Sequence, residues 1–94
     1  MARKRNKDFK FVYRTYLAQF RQNAGLSQVR LAKAIGMLPC EYNLIENGKK
    51  GGLMNSRLIV KLVEALGVEV KDFVYAEKAY LDEVDRVNGI SRDE

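Results

Sequence analysis

The stretch QVRLAKAIGMLPCEYNLIEN, Gln28 to Asn47, decides the architecture. Ser27 precedes it and is a good N-cap, because its hydroxyl can accept a hydrogen bond from a first-turn backbone N–H. Val29, Leu31, Ala32 and Ile35 then supply apolar positions at helical spacing, and Gly36 ends the run. A helix over about Gln28–Ile35 is expected. Pro39 suits the first turn of a second helix, where its missing N–H has no partner to lose. That helix runs to about Glu46 and stops at Asn47-Gly48. Leu31, Ile35, Met37, Tyr42 and Ile45 fall where two short helices joined by a tight turn face a shared core. Ala32 falls at their closest approach, where only a small side chain permits a steep crossing. Gly36 falls where the turn needs a positive φ.

Outward from this unit the apolar period stays helical almost everywhere, which argues for an all-α domain. Val12/Tyr13, Tyr16/Leu17, Phe20 and Ala24 predict a first helix from about Lys10 to Asn23, stopped by Gly25. Asn55 can cap a fourth helix with Leu58/Ile59, Leu62/Val63 and Leu66 as its buried stripe, ended by Gly67. A fifth starts near Val70 and continues through Phe73/Val74, Tyr80/Leu81, Val84 and Val87 to about Asn88. The domain plan is a flexible basic arm over 1–8, a compact domain over 9–74, and an extension of the last helix with a polar tail over 75–94.

Composition narrows the function. The chain has 94 residues, a single cysteine and no histidine. One cysteine cannot form an intramolecular disulfide. The missing histidine removes the commonest general base and metal ligand, so no metal, no cofactor and no enzyme is expected. Charge is unevenly placed. Residues 1–50 hold eleven Lys/Arg against three acids, whereas residues 51–94 hold six against nine. A polyanion partner for the first half follows, with an uneven but merely solvated surface as the plainer account. No apolar run approaches the ~18 residues of a membrane span, and the basic N-terminus lacks the apolar stretch of a signal peptide. A cytoplasmic protein with no membrane partner is expected.

Gln28 to Asn47 matches a helix-turn-helix, two short helices with a glycine in the turn. The longer string Leu17-x-x-Phe20-Arg21, Gly25-Leu26-Ser27-Gln28, Leu31-Ala32, Gly36, Ile45-Glu46-Asn47-Gly48 and Ala65-Leu66-Gly67-Val68 resembles the phage lambdoid repressor/Cro and XRE-like bacterial regulators. The resemblance covers about Tyr16 to Phe73. It implies a five-helix, lambda-repressor-like DNA-binding domain, here with an extended C-terminal helix, and double-stranded DNA as the partner. It further implies that Gln28 touches the DNA backbone and that Asn47 and Gly48 approach phosphate. It implies a structural pair between Arg21 and Glu46, locking the first helix to the recognition helix. Lys49 and Lys50 follow that helix and could neutralise phosphates, or simply be solvated.

The reading head departs from expectation. Exposed positions in the recognition helix should carry polar groups that read base edges. Here they are Pro39, Cys40, Asn43 and Leu44, with Glu41 alongside. Only Asn43 offers a donor and acceptor suited to adenine, while Pro39, Cys40 and Leu44 offer apolar contact such as that to a thymine methyl. Glu41 could accept from cytosine or repel phosphate. Leu38 replaces a polar N-cap, and Tyr42 replaces an aliphatic core residue. The basic arm, with Arg3, Lys4 and Arg5, could reach a narrow minor groove. Cys40 at a helix N-terminus is a candidate thiol sensor, but more simply a small residue at a tolerant position. Phe9, Phe11, Tyr13, Tyr16 and Phe20 read as packing rather than a base-stacking platform.

A last helix of about five turns leaves a stripe of Val74, Leu81, Val84 and Val87 beyond what the core needs. A homodimer through that stripe is expected, with folding back onto the first helix as the alternative. No small-molecule effector is evident. The reading is a transcriptional regulator of bacterial or phage origin, a repressor by operator occupancy. The alternative is a helix-turn-helix module used for protein–protein interaction, as in an antitoxin or anti-repressor-like component.

Overall fold

The computed structural model describes residues 9–49 and 54–89. Arg3, Lys4, Arg5 and Lys50, and with them the arm and the polar tail beyond Gly89, lie outside these residues. The described residues form five α-helices and no strand: α1 Thr15–Asn23, α2 Gln28–Ala34, α3 Pro39–Glu46, α4 Ser56–Leu66 and α5 Val70–Val87. None of the described helices is long and apolar enough to cross a membrane.

Local chemistry sets the boundaries. The Ser27 hydroxyl accepts the Arg30 N–H at 3.1 Å, and the Asn55 side chain accepts the Leu58 N–H at 2.8 Å. Each satisfies a first-turn donor that the helix itself cannot. Leu38 offers no side-chain acceptor, so α3 begins on Pro39 with Glu41 taking the Leu38 N–H, and Leu38 is extended as the residue before a proline prefers. At the other end of α3, Gly48 adopts φ +73°. Its N–H donates to the Ile45 carbonyl at 3.1 Å and the Lys49 N–H to the Leu44 carbonyl at 2.9 Å. This paired closure occupies the Leu44 and Ile45 carbonyls of the last turn.

The first helix is shorter than its apolar period suggests. Residues 9–14 are not helical, and Tyr13 is 65% exposed. Arg14 breaks the pattern because its N–H is committed to the Glu46 carbonyl of α3 at 2.8 Å, while its own carbonyl starts α1 by accepting from Leu17 and Ala18. The period carried across this point because Val12 is half-buried for a different reason. It belongs to a segment laid beside α5 and the end of α3.

The core draws on every helix: Leu17 from α1, Leu31 and Ala32 from α2, Tyr42 and Ile45 from α3, Leu62, Val63 and Leu66 from α4, and Phe73 from α5. Ile35, the α2 C-cap, completes it. Ala32 is fully buried where α2 and α3 pack. Tyr16, Phe20 and Phe73 form an aromatic knot joining α1 to α5, with Tyr16 edge-on to Phe73 at 5.5 Å and Phe20 stacked on it at 6.2 Å. Phe11, by contrast, is exposed and meets Phe9 edge-on at 5.4 Å.

The distal half of α5 is also engaged within the chain. Asn88 at its end accepts the Lys10 N–H at 2.7 Å and donates to the Lys10 carbonyl at 3.0 Å. The stripe expected to face a partner is therefore divided. Leu81, Val84 and Val87 are half-buried in the single chain, and only Val74 is exposed, at 43%. The turn of α1 expected from about Lys10 is instead a strap over residues 9–14, tied to the end of α5 through Lys10 and Asn88.

The strap comes so close to α3 that Gly48 has no room for a side chain. A Cβ there would overlap the Val12 carbonyl oxygen and lie 2.8 Å from the Tyr80 hydroxyl. Gly36 has the same positive φ but nothing within 4 Å. In urea unfolding, Gly36→Ala is expected to cost about 1 kcal/mol from backbone strain alone. Gly48→Ala should cost at least about 2 kcal/mol more, because strain and overlap combine. Equal losses would show that the strap does not hold against α3.

Candidate nucleic-acid interface

The face built by α2 and α3 is organised around one carboxylate. Glu46, the last residue of α3, is buried. Its Oε2 accepts from Arg21 Nε at 2.7 Å and from the Tyr42 hydroxyl at 2.5 Å. Its Oε1 accepts from Gln28 Nε2 at 2.7 Å and from Arg21 Nη2 at 3.4 Å. Four donors meet the roughly four lone-pair sites of a carboxylate, so it is saturated. Arg21 also donates to the Leu26 carbonyl at 2.9 Å, which pins the turn between α1 and α2. Arg21 and Glu46 thus tie α1, α2 and α3 together. The polar end of Tyr42 joins this network from inside the core, which is how a fully buried tyrosine fits where an aliphatic residue would pack.

Burial alone would raise the Glu46 carboxyl, but hydrogen bonds from Arg21, Tyr42 and Gln28, with the Arg21 charge, hold it below the ordinary carboxylate range. Burial, with the adjoining Glu46 carboxylate, pushes the Tyr42 hydroxyl far above the usual phenol range, so it remains a donor.

Gln28 and Asn43 do not stand apart as independent contact residues. Gln28 Oε1 accepts from Asn43 Nδ2 at 3.1 Å, and Asn43 Oδ1 accepts from Asn47 Nδ2 at 3.0 Å. All three side chains are half-buried, leaving one side accessible. Pro39, Cys40 and Leu44 lie on the exposed surface of α3, and Lys49 is exposed just past its end. Leu38, at 61%, and Leu44, at 40%, make the start and middle of α3 apolar toward solvent. Glu41 turns back on its own helix, accepting the Leu38 N–H at 3.4 Å. Gly48 is buried, and its N–H and that of Lys49 are spent on closing α3. Neither backbone N–H is free for the phosphate expected near Gly48.

A second buried cluster was not anticipated. Arg14, 2% exposed, donates through Nε and Nη2 to the two oxygens of Glu77 on α5, each at 3.0 Å. Its Nη1 donates to the Ile45 carbonyl at 2.8 Å, and its guanidinium lies over the Tyr80 ring at 4.4 Å. The Tyr16 hydroxyl donates to Glu77 as well. A cation placed on the last carbonyls of a helix satisfies them and complements the helix dipole. Arg14 thereby fastens the end of α3 to α5. One signal was present in the sequence: Glu77 follows Phe73 by four residues, a charge inside the apolar stripe of α5. Its partner 63 positions away carries no such local mark.

Comparison with known proteins follows the same outline. A helix-turn-helix domain model matches residues 13–72, well over half of the chain. No curated protein matches. Two crystal structures of the clp gene regulator ClgR from Corynebacterium glutamicum are similar. One is 27% identical with a TM-score of 0.61, covering 71% of this chain and 84% of that one. The other is 26% identical with a TM-score of 0.60, covering 79% and 83%.

Breaking either buried ion pair from one side leaves a charge without its partner. Glu46→Ala and Glu77→Ala are each expected to cost about 3–5 kcal/mol in chemical denaturation. The Glu46 contribution also has a pH signature. Its folded pKa lies below the ordinary value of 4.5, so its stabilisation is complete above about pH 4.5 and is lost as pH falls through the lowered folded value. Glu46→Gln should flatten the stability profile in that acid window and leave its slope near neutrality unchanged, as followed by circular dichroism. From the matched residues 13–72 and the five-helix architecture, this chain belongs to the helix-turn-helix domain family.

Proposed function

We propose that the chain is a sequence-specific, double-stranded-DNA-binding transcriptional regulator of the Cro/repressor, XRE-like type. It acts as a repressor by occupying an operator, in the cytoplasm of a bacterial or phage-infected cell, without a small-molecule effector. The observation that carries this reading is the single face on which α2 and α3 gather Gln28, Asn43 and Asn47, with Lys49 at its edge. Side-chain amides suit base edges and phosphates alike, and a lysine beside them supplies the sequence-independent attraction. A single helix such as α3 fits a major groove, and α2 packs against it with Gln28 on the same face. Similarity to a gene regulator of comparable length supports the same class.

In this reading Asn43 reads a base, Pro39, Cys40 and Leu44 make apolar contact, and Gln28, Asn47, Lys49 and Lys50 serve the backbone. Arg3, Lys4 and Arg5 reach along the duplex, residues 9–74 form the binding domain, and 75–94 extend it. A homodimer places two such faces on successive half-sites. Its interface centres on Val74, which is exposed on α5 beside the exposed Val70 and Tyr75; Leu81, Val84 and Val87, half-buried in the single chain, contribute their accessible sides. One observation favours a second reading, a module for a protein partner: the exposed Val29, Leu38 and Leu44 make the head of this face apolar.

Duplex binding by the folded chain should weaken steeply with salt, with log K falling by about 0.9 per neutralised phosphate for each unit of log salt. Lys49→Ala should weaken binding to all duplexes alike and lower that slope by about one phosphate. Asn43→Ala should instead change preference at one base pair by about 1–3 kcal/mol. A folded chain that binds no duplex at ~50 mM salt would refute the DNA reading in favour of the protein module. In sedimentation, Val74→Asp should halve the mass of the wild-type species; identical masses would remove Val74 from any dimer interface.

A further inference from the structure

The hydrogen bonds on the α2–α3 face run in one direction. Asn47 donates to Asn43, Asn43 donates to Gln28, and Gln28 donates to Glu46. The direction is not arbitrary. An ionised carboxylate only accepts, so Gln28 must turn its NH2 toward Glu46. Its carbonyl oxygen then faces Asn43, which must answer with its own NH2. The Asn43 oxygen is left facing Asn47, which answers in the same way. An amide flip at any one position would set donor against donor or acceptor against acceptor at its neighbour. The sense of the chain is fixed at its buried end, where Arg21 and Tyr42 fill the remaining sites of Glu46.

We infer that Glu46 sets the orientation of three surface amides, making Glu46 and Gln28 positioning residues for base discrimination by Asn43 and Asn47. This rests on the DNA-binding reading above and adds to it. Isolated amides on an exposed helix present donor and acceptor in either order, and each order matches a different base edge. Here one order is selected before any duplex arrives. Asn43 keeps one N–H and one oxygen lone pair for a partner, and Asn47 keeps one N–H and its whole oxygen. Gln28 thereby has a role in specificity besides any contact with the backbone.

Glu46→Gln tests this directly. Its amide oxygen can serve Arg21 and Tyr42, which leaves its NH2 facing Gln28 and reverses every link outward. Asn47 does not touch Glu46, yet its side-chain NH2 should lose its inward acceptor. In nuclear magnetic resonance spectra of the free, folded chain, the Asn47 side-chain amide protons should move to the position of a freely hydrated amide. Gln28→Ala, which leaves the Arg21–Glu46 pair in place, should release the Asn43 NH2 in the same spectra. With DNA, competition between duplexes differing at single base pairs should show changed preference for Glu46→Gln. For Gln28→Ala it should show relaxed preference, with discrimination reduced on the order of tenfold at the affected pair. Unmoved Asn43 and Asn47 signals in both variants would overturn the chain of amides. Uniform weakening on all duplexes would overturn its role in discrimination and leave Gln28 a backbone contact. A wild-type chain that shows the coupled amide shifts but binds no duplex would overturn the DNA-binding reading itself, and the discrimination role with it.

Discussion

A buried carboxylate that accepts four hydrogen bonds is the constraint on which the α2–α3 face depends. Glu46 is reached by Arg21 from α1, Gln28 from α2 and Tyr42 from its own helix. Two short helices of seven and eight residues have little stability of their own. Their relative placement has to come from contacts between them. Apolar packing across Leu31, Ala32, Tyr42 and Ile45 brings them together but has little directionality. Hydrogen bonds to one ionised group are directional, and leaving any of them unmade in a buried site is costly. The crossing of α2 and α3 is thus fixed by apolar burial in strength and by Glu46 in register.

Arg14 supplies a complementary constraint on the main chain of the same last turn of α3. Its backbone N–H and guanidinium take the Glu46 and Ile45 carbonyls, and Glu77 holds it from α5. The last turn of α3 is therefore held twice, through the Glu46 side chain and through the Ile45 and Glu46 carbonyls. The two anchors involve different partners, one in the first three helices and one in α5. The strap over residues 9–14 exists because Arg14 must reach both α3 and α5. Gly48 is the one residue at the end of α3 that lets the strap pass.

Such rigid support bears on the unusual chemistry of the exposed face. Leu38, Cys40 and Leu44 present little polar information, so a proposed reader of DNA has few groups with which to discriminate. Fixing the orientation of those few amides in advance would extract more selectivity from each, because no flip has to be selected on binding. In that reading the lysine at the edge of the face would contribute attraction that carries no sequence information. Affinity and discrimination are then assigned to different residues of one small surface.

Much of this molecule is legible in the sequence. Ser27, Gly36, Pro39, Asn55 and Gly67 act within one or two turns of themselves, so caps, turns and helix ends could be read locally, and the apolar spacing located the core of all five helices. Tyr42 and Glu46, four apart on one helix, also lay within local reach. The errors lie where a residue answers to something distant in the chain. Val12 and Tyr13 carry a helical period, but Arg14 is drawn out of helical hydrogen bonding by a carbonyl on α3. Leu81, Val84 and Val87 carry a helical period too, but their half-burial depends on the tertiary packing. Gln28, Asn43 and Asn47 are recognisable singly as polar positions, whereas their order as donors and acceptors depends on a carboxylate that only folding brings to them. Local backbone preference and hydrophobic period are properties of neighbouring residues and so are written in the sequence. The pairing of Arg14 with Glu77, and the direction of the amide chain, are properties of groups that meet only in the tertiary structure.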